Sequence, residues 1–290
     1  MRRLGFALAL SLAATAAFAQ GTFTVRGDDC SSRNFTWDGE ESFVERQTID
    51  AGALRSFKAS VEHAPISVIG GSTRGYSVEV CKAAARREDL DAIRVSVDGG
   101  ELRTSGPDGA RWSVHYKVHV PDGANIEIEA ENGPISIREV NGTIVTRASN
   151  GPLSLRNLSG NVDATTTNGP ISVRGGSGTM KVRASNGPLT VDLDGASWRN
   201  GSLDASTRNG PLSVKIPRNY GSGVVIDSNG RGPLSCKAEG CQRYRSASAD
   251  DDDHHGRRWD DEPRHIELGS GAEAVRLSTV NGPVTIKNVD

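Results

Sequence analysis

From residue 132 onward the chain repeats one short hydrophobic pattern. Asn-Gly-Pro occurs at Asn132, Asn150, Asn168, Asn186, Asn209 and Asn281, and an expanded copy runs from Asn229 to Pro233. After each proline comes an apolar, hydroxyl, apolar triplet: ISI, LSL, ISV, LTV, LSV, LSC and VTI. His63-Ala64-Pro65-Ile66-Ser67-Val68 is a degenerate earlier copy, so eight of the 12 prolines occupy one repeat position. The first four copies are 18 residues apart and the next interval is 23. Alternation of apolar and polar positions predicts two short strands per repeat. In 150–167 these are Leu153–Leu158 and Asn161–Thr167, separated by Ser159-Gly160. Leu153, Leu155, Val162, Ala164 and Thr166 face inward, as do Ile135, Ile137, Ile144, Ile171, Val173, Met180 and Val182 in neighbouring copies.

Asn-Gly commonly closes a two-residue hairpin, but the proline after it removes the N–H that would close the turn. The motif therefore reads as a corner, at which Asn and Gly tolerate positive φ and Pro opens the next strand. Corners at a fixed period wind the chain into a β-solenoid. One 18-residue coil buries only about five aliphatic side chains, too few to offset ordering its backbone, so coils must stack. The expected fold is all-β, with Asn132, Asn150, Asn168, Asn186 and Asn209 forming a structural column.

Outside the repeats the pattern is less regular. Residues 20–60 read as an N-terminal cap segment and 61–290 as the solenoid domain, interrupted by a flexible, disordered loop at 238–266. Longer strands are expected at Tyr76–Cys81, Ile93–Val97, Glu101–Thr104, Trp112–Val120 and Asn125–Ala130, with a short helix around Ala83–Ala92. Ala274–Asp290 is expected to add the final coil. Residues 1–19 have a basic start, a greasy run from Leu4 to Phe18 and a small-x-small end, the marks of a signal peptide cleaved after Ala19. With no Cys after that site a lipoprotein anchor is not expected, and no later stretch is long and apolar enough for a membrane helix. The protein is thus expected to be exported, to the periplasm or the cell surface.

Charge changes the picture in one place. The 290 residues hold 34 Lys+Arg and 36 Asp+Glu, a near balance that argues against nucleic-acid binding. The stretch Asp250–His265 alone has seven acids and three arginines. Asp250, Asp251, Asp252 and Asp253 with His254 and His255 offer metal ligands, though a solvated loop is the plainer reading and no cofactor is expected. Four cysteines in an exported chain allow three disulfide connectivities. The Cys236–Cys241 spacing favours a local clip, leaving Cys30 with Cys81; a zinc site of all four thiolates is the alternative.

Stacking would align Arg138, Arg156, Arg174 and then, past Asp192, Lys215 in one basic column, with Lys237 and Lys287 at the matching place. Beside it runs a hydroxyl column, Ser136, Ser154, Ser172, Thr190 and Ser213. Unit charges about 4.8 Å apart repel by ~0.9 kcal/mol even in water. A column of this kind suits a regularly spaced polyanion, or is a solvated face whose stems cover aliphatic edges. For catalysis, no nucleophile elbow, zinc-protease helix or phosphate loop is present. Glu127, Glu129 and Glu131 on one strand, or Asp192 and Asp194 on another, are the carboxylate sets a glycan-cleaving enzyme would need. His115 and His119 stand roughly 13 Å apart along their strand, too far to share a metal.

The repeat, preceded by His119-Val120-Pro121-Asp122-Gly123 and the strand Asn125–Glu129, resembles the bacterial putative-adhesin, or toast-rack, domain family over about residues 50–290. The resemblance implies a right-handed β-solenoid in exported or envelope proteins and no catalytic residues. The expected function is a non-catalytic adhesin-like binding or envelope scaffold, with envelope glycans or another envelope protein as partner. The alternatives are a β-solenoid polysaccharide lyase or hydrolase and a protein-interaction module in envelope stress signalling.

Overall fold

The computed structural model describes residues 14–18, 21–25, 30–229, 232–241 and 264–289. The protein is nearly all β, with 64% of its residues in strands. The helix expected around Ala83–Ala92 shrinks to a single turn, Arg87–Leu90, because Tyr76–Ala84 continues as strand through its first residues. The leader's cleavage point at Ala19 and the acidic stretch 250–255 lie outside the described residues.

Two sheets carry the repeats. In the first, Ile66–Gly70, Ile135–Arg138, the start of Leu153–Asn168, Ile171–Gly176, Leu189–Asp192 and Leu212–Pro217 pair in that order, all parallel. In the second, Phe57–Val61, Ala124–Asn132, Asn141–Asn150, the end of Leu153–Asn168, Thr179–Asn186 and Leu203–Asn209 do the same. Leu153–Asn168 is one strand of 16 residues where the alternation suggested two. It passes from the first sheet to the second through Gly160, whose φ of 95° turns the chain without ending the ladder.

Successive segments stack in register, so each residue lies over its repeat equivalent: Ile135 over Leu153, Ile171 and Leu189, and Ile144 over Val162 and Met180. Their inward side chains join one apolar cluster and are essentially inaccessible to solvent. Thr207 and Thr279 enter this interior by donating to the carbonyls of Gly187 and Gly210. Thr146 and Thr166 are buried with no hydrogen-bond partner among the described residues.

The corners differ from expectation in their reason for glycine. The corner Asn residues do not have positive φ. Instead, a Cβ on Gly151, Gly169, Gly187, Gly210 or Gly282 would collide with the carbonyl of the corner glycine beneath it. Close backbone approach excludes a side chain at all five, and Gly151 and Gly187 also have the positive φ expected of a corner glycine, 158° and 153°. The corner hydrogen bonds use the Gly N–H and the N–H after the proline: Gly151 donates to Asn168 and Leu153 donates to Pro170. The ladder never asks proline for a donor.

The C-terminal segment is not the last layer. Glu273–Asn281 lies between Leu203–Asn209 and Gly223–Ser228, parallel to both, and Val284–Val289 lies between Leu212–Pro217 and Leu234–Cys236. Arg264–Leu268 then closes the second sheet antiparallel to Gly223–Ser228. The intact Asn281-Gly282-Pro283 corner lies directly on Asn209-Gly210-Pro211. At the other end, the first sheet extends through Trp112–Val120, parallel to Ile66–Gly70, then Tyr76–Ala84 and Phe43–Gly52, antiparallel. A hairpin, Arg94–Asp98 with Glu101–Ser105, lies against Phe57–Val61.

The sulfurs pair as Cys30–Cys81 and Cys236–Cys241, which removes the four-thiolate zinc alternative. The first bridge spans 51 residues and ties the amino-terminal segment to Tyr76–Ala84. Because Leu277 is fully buried in an interior layer, Leu277→Ala should cost about 2–5 kcal/mol, as for any central core leucine. Urea unfolding measures this; a loss near zero would return the segment to a frayed end.

Candidate functional site

The outer face of the first sheet is built by the same stacking. Ser67, Ser136, Ser154, Ser172, Thr190, Ser213 and Thr285 occupy adjoining positions, one per strand. Two residues further along each strand, Arg138, Arg156, Arg174, Asp192, Lys215 and Lys287 form a second column. Lys237 continues it, donating its backbone N–H to Ile286. Asp192 interrupts the column and is itself three-quarters covered or more, with side-chain exposure of 15%. Its Oδ2 accepts from the Arg174 guanidinium at 3.1 Å and from Lys215 Nζ at 2.9 Å. No acid among the described residues pairs with Arg138 or Arg156, and both are exposed.

The outer face of the second sheet has the opposite character. Lys58, Glu127, Val145, Asp163, Lys181, Asp204 and Arg276 follow one another across it, so charge alternates instead of accumulating. Glu127 pairs with Lys58 at 3.4 Å, and Arg147 reaches both Glu127 and Glu129. Two acids of the Glu127, Glu129 and Glu131 set are thus engaged by cations, and Glu131 is exposed at the end of the strand. Asp194 departs from Asp192 and lies beside Tyr220, whose hydroxyl is pushed up to about 12 by burial first and by Asp194 second. The two histidines also part: His119 Nε2 meets Glu79 at 3.1 Å, and His115 packs edge-on to Phe35.

Between the two faces runs the asparagine ladder. Asn150 donates its amide to Asn132 at 3.1 Å, Asn168 to Asn150 at 3.0 Å, Asn186 to Asn168 at 3.0 Å, Asn209 to Asn186 at 2.8 Å and Asn281 to Asn209 at 2.8 Å. All six amides point the same way, and each of the four inner ones both gives and receives. Asn168→Ala breaks two of these bonds and should lower stability by about 1–2 kcal/mol, measured by thermal unfolding. A loss indistinguishable from zero would mean that solvent replaces the ladder fully.

One titrating cluster was not legible as a site. On the closing strand, His265 Nδ1 meets Asp227 Oδ1 at 2.7 Å and Nε2 meets Glu267 Oε1 at 3.1 Å. The contact to Asp227, then that to Glu267, raises the imidazole above its usual 6.5. A raised folded-state value stabilises the protonated folded chain. This contribution is complete below the unfolded value near 6.5 and is lost as pH rises through the folded value. Wild type should therefore lose more urea stability than His265→Gln between about pH 5.5 and 8.5; identical pH profiles would contradict the coupling.

Among the described residues no group of three or more His, Cys, Asp or Glu side chains is placed to hold a metal ion. No helix among them is long and apolar enough to cross a membrane. No family model and no curated protein matches the chain. Three bacterial crystal structures are similar to it. A "putative adhesin" from Bacteroides fragilis is 9% identical with a TM-score of 0.39, covering 85% of this chain and 97% of that one. A "putative lipid binding protein" from Parabacteroides distasonis is 13% identical with a TM-score of 0.35, covering 85% and 97%. A "putative cell adhesion protein" from Clostridium sporogenes is 12% identical with a TM-score of 0.29, covering 86% and 100%. Likeness of this order leaves the chain's function to its own residues.

Proposed function

We propose that the chain is an exported, non-catalytic right-handed β-solenoid that binds an anionic envelope glycan along its first sheet. In this reading residues 1–19 are the leader, 20–60 cap the stack and 61–290 form the adhesin-like domain. Two disulfides belong to an oxidising, extracytoplasmic setting, with the periplasm or the cell surface as its location.

The observation that carries the reading is the contrast between the two faces. The second sheet alternates its charges, which is how a stack with no ligand to serve minimises repulsion. The first sheet places Arg138 over Arg156 over Arg174, then Lys215 beside Lys287, and relieves the column only at Asp192. Like charges at strand spacing cost stability unless an anion offsets them. Guanidiniums on three successive strands, each with a hydroxyl two residues before it, suit the carboxylates or phosphates of a repetitive polyanion. Many evenly spaced weak contacts on a rigid face then give avidity without a deep pocket. The ion pairs at Glu127, Glu129 and Asp192 favour this reading over glycan cleavage, since they commit these carboxylates to the protein's own cations.

Polygalacturonate and purified lipopolysaccharide, with neutral dextran as control, test the proposal. Wild type should bind at least one of the polyanions in a salt-sensitive manner and ignore dextran. Arg156→Glu combined with Arg174→Glu should weaken that binding at least about tenfold. Unchanged binding by the double variant would overturn the assignment.

A further inference from the structure

Away from the basic strip, the places where the chain abandons its repeat converge on one cavity. His63 stands over Asn132, at the position where the next ladder asparagine would lie, because Val61 pairs with Ala130 and the registers continue. Ala64 replaces the corner glycine. The loop 106–111 projects beside this corner, and Trp37 arrives from the amino-terminal segment. Together they line an open cavity of about 690 Å³, within the range of small-ligand sites.

The walls are held from several directions. The Trp112 Nε1–H donates to the carbonyl of Pro107 at 3.1 Å, which fixes the indole. Gly106 lies so close to that ring that any side chain there would collide with it. Tyr116 is buried and its hydroxyl shares a 2.6 Å hydrogen bond with Thr104 Oγ1. Burial pushes the phenol up to about 12, so it keeps its proton at any physiological pH. Arg111 reaches Asp38 at 3.0 Å, bracing the loop against the segment that carries Trp37.

From this construction we infer that the cavity is a binding site for a short neutral oligosaccharide. The partly exposed indole of Trp112 matches the C–H face of a pyranose ring, and the exposed hydroxyl side chains of Ser60 and Thr104 match its rim. The charges argue against an anion: Glu62 lines the cavity, and the guanidinium of Arg111 is already committed to Asp38. The site is separate from the strip and does not depend on it. The repeated layers are filled by aliphatic groups; Tyr116 joins the same apolar cluster at its end and Trp112 packs against it, leaving part of the indole open to the cavity.

Isothermal titration calorimetry of the full chain with maltotriose, cellotriose and N,N′,N″-triacetylchitotriose is the test. At least one trisaccharide should give saturable heat. Thr104→Val, and Ala110→Trp as a cavity-filling change in the loop, should each weaken it at least about tenfold. Arg156→Glu should leave it unchanged, which keeps this outcome distinct from that of the strip. The inference fails if none of the three sugars gives saturable heat. It fails equally if Ala110→Trp, shown folded by circular dichroism, binds as tightly as wild type, or if only short peptides bind.

Discussion

The structure depends on backbones that touch at the corners. Each corner glycine lies on the carbonyl of the one below, with no space for a Cβ between them. That contact leaves a single stacking register, because a shift by one residue would drive a side chain into the neighbouring carbonyl and turn every inward aliphatic group to solvent. With the register fixed, like lies over like throughout. Ile135 covers Leu153, each Asn amide meets another, and each hydroxyl and each arginine has its counterpart one strand away.

The same rule has opposite energetic consequences for different residue types. Stacked aliphatic groups exclude water, and stacked amides satisfy one another's donors and acceptors. Stacked arginines repel. A repeat copied without correction therefore gains from its core and its ladder and loses on its basic column. The second sheet has shed this loss by varying its outer residues, Glu127 against Lys58, Lys181 against Asp204, Asp204 against Arg276. The first sheet has done so only at Asp192, which serves Arg174 and Lys215 together. Local correction was available and was used once. The persistence of the remaining column is the physical reason to look there for an anion.

Much of this was legible from periodicity. The proline-anchored triplets marked the inward positions, and residues such as Ile137, Leu155, Val173 and Val182 are buried. Alternation also marked Trp112–Val120 to both ends and the strand beginning at Tyr76, which runs on past Cys81 to Ala84. What escaped the sequence was non-local. Nothing near Glu127 in the chain announces Arg147 or Lys58, because those partners come from other layers. His265 meets Asp227 across the antiparallel closure, 38 residues away. The cavity was hidden for a related reason: its walls come from three separate segments, at 37, 60–64 and 104–116, which only the fold brings together. Its one sequence signal is the loss of Asn-Gly at His63-Ala64, a break in an otherwise kept motif.

The placement of the last strands adds a constraint on assembly. With Glu273–Asn281 inside the stack, Leu203–Asn209 and Gly223–Ser228 cannot pair with each other in the native order. Until the C-terminal segment arrives, each presents an open parallel edge, the kind of surface that recruits other chains. The intercalated segment fills both edges in one step and carries its own Asn281 into the ladder. It also brings Leu277 and Ile286 into the core and Lys287 into the basic column. Closing the sheets and completing the charged face are thus one event. The face that the proposed glycan would meet exists in full only when both edges have been covered.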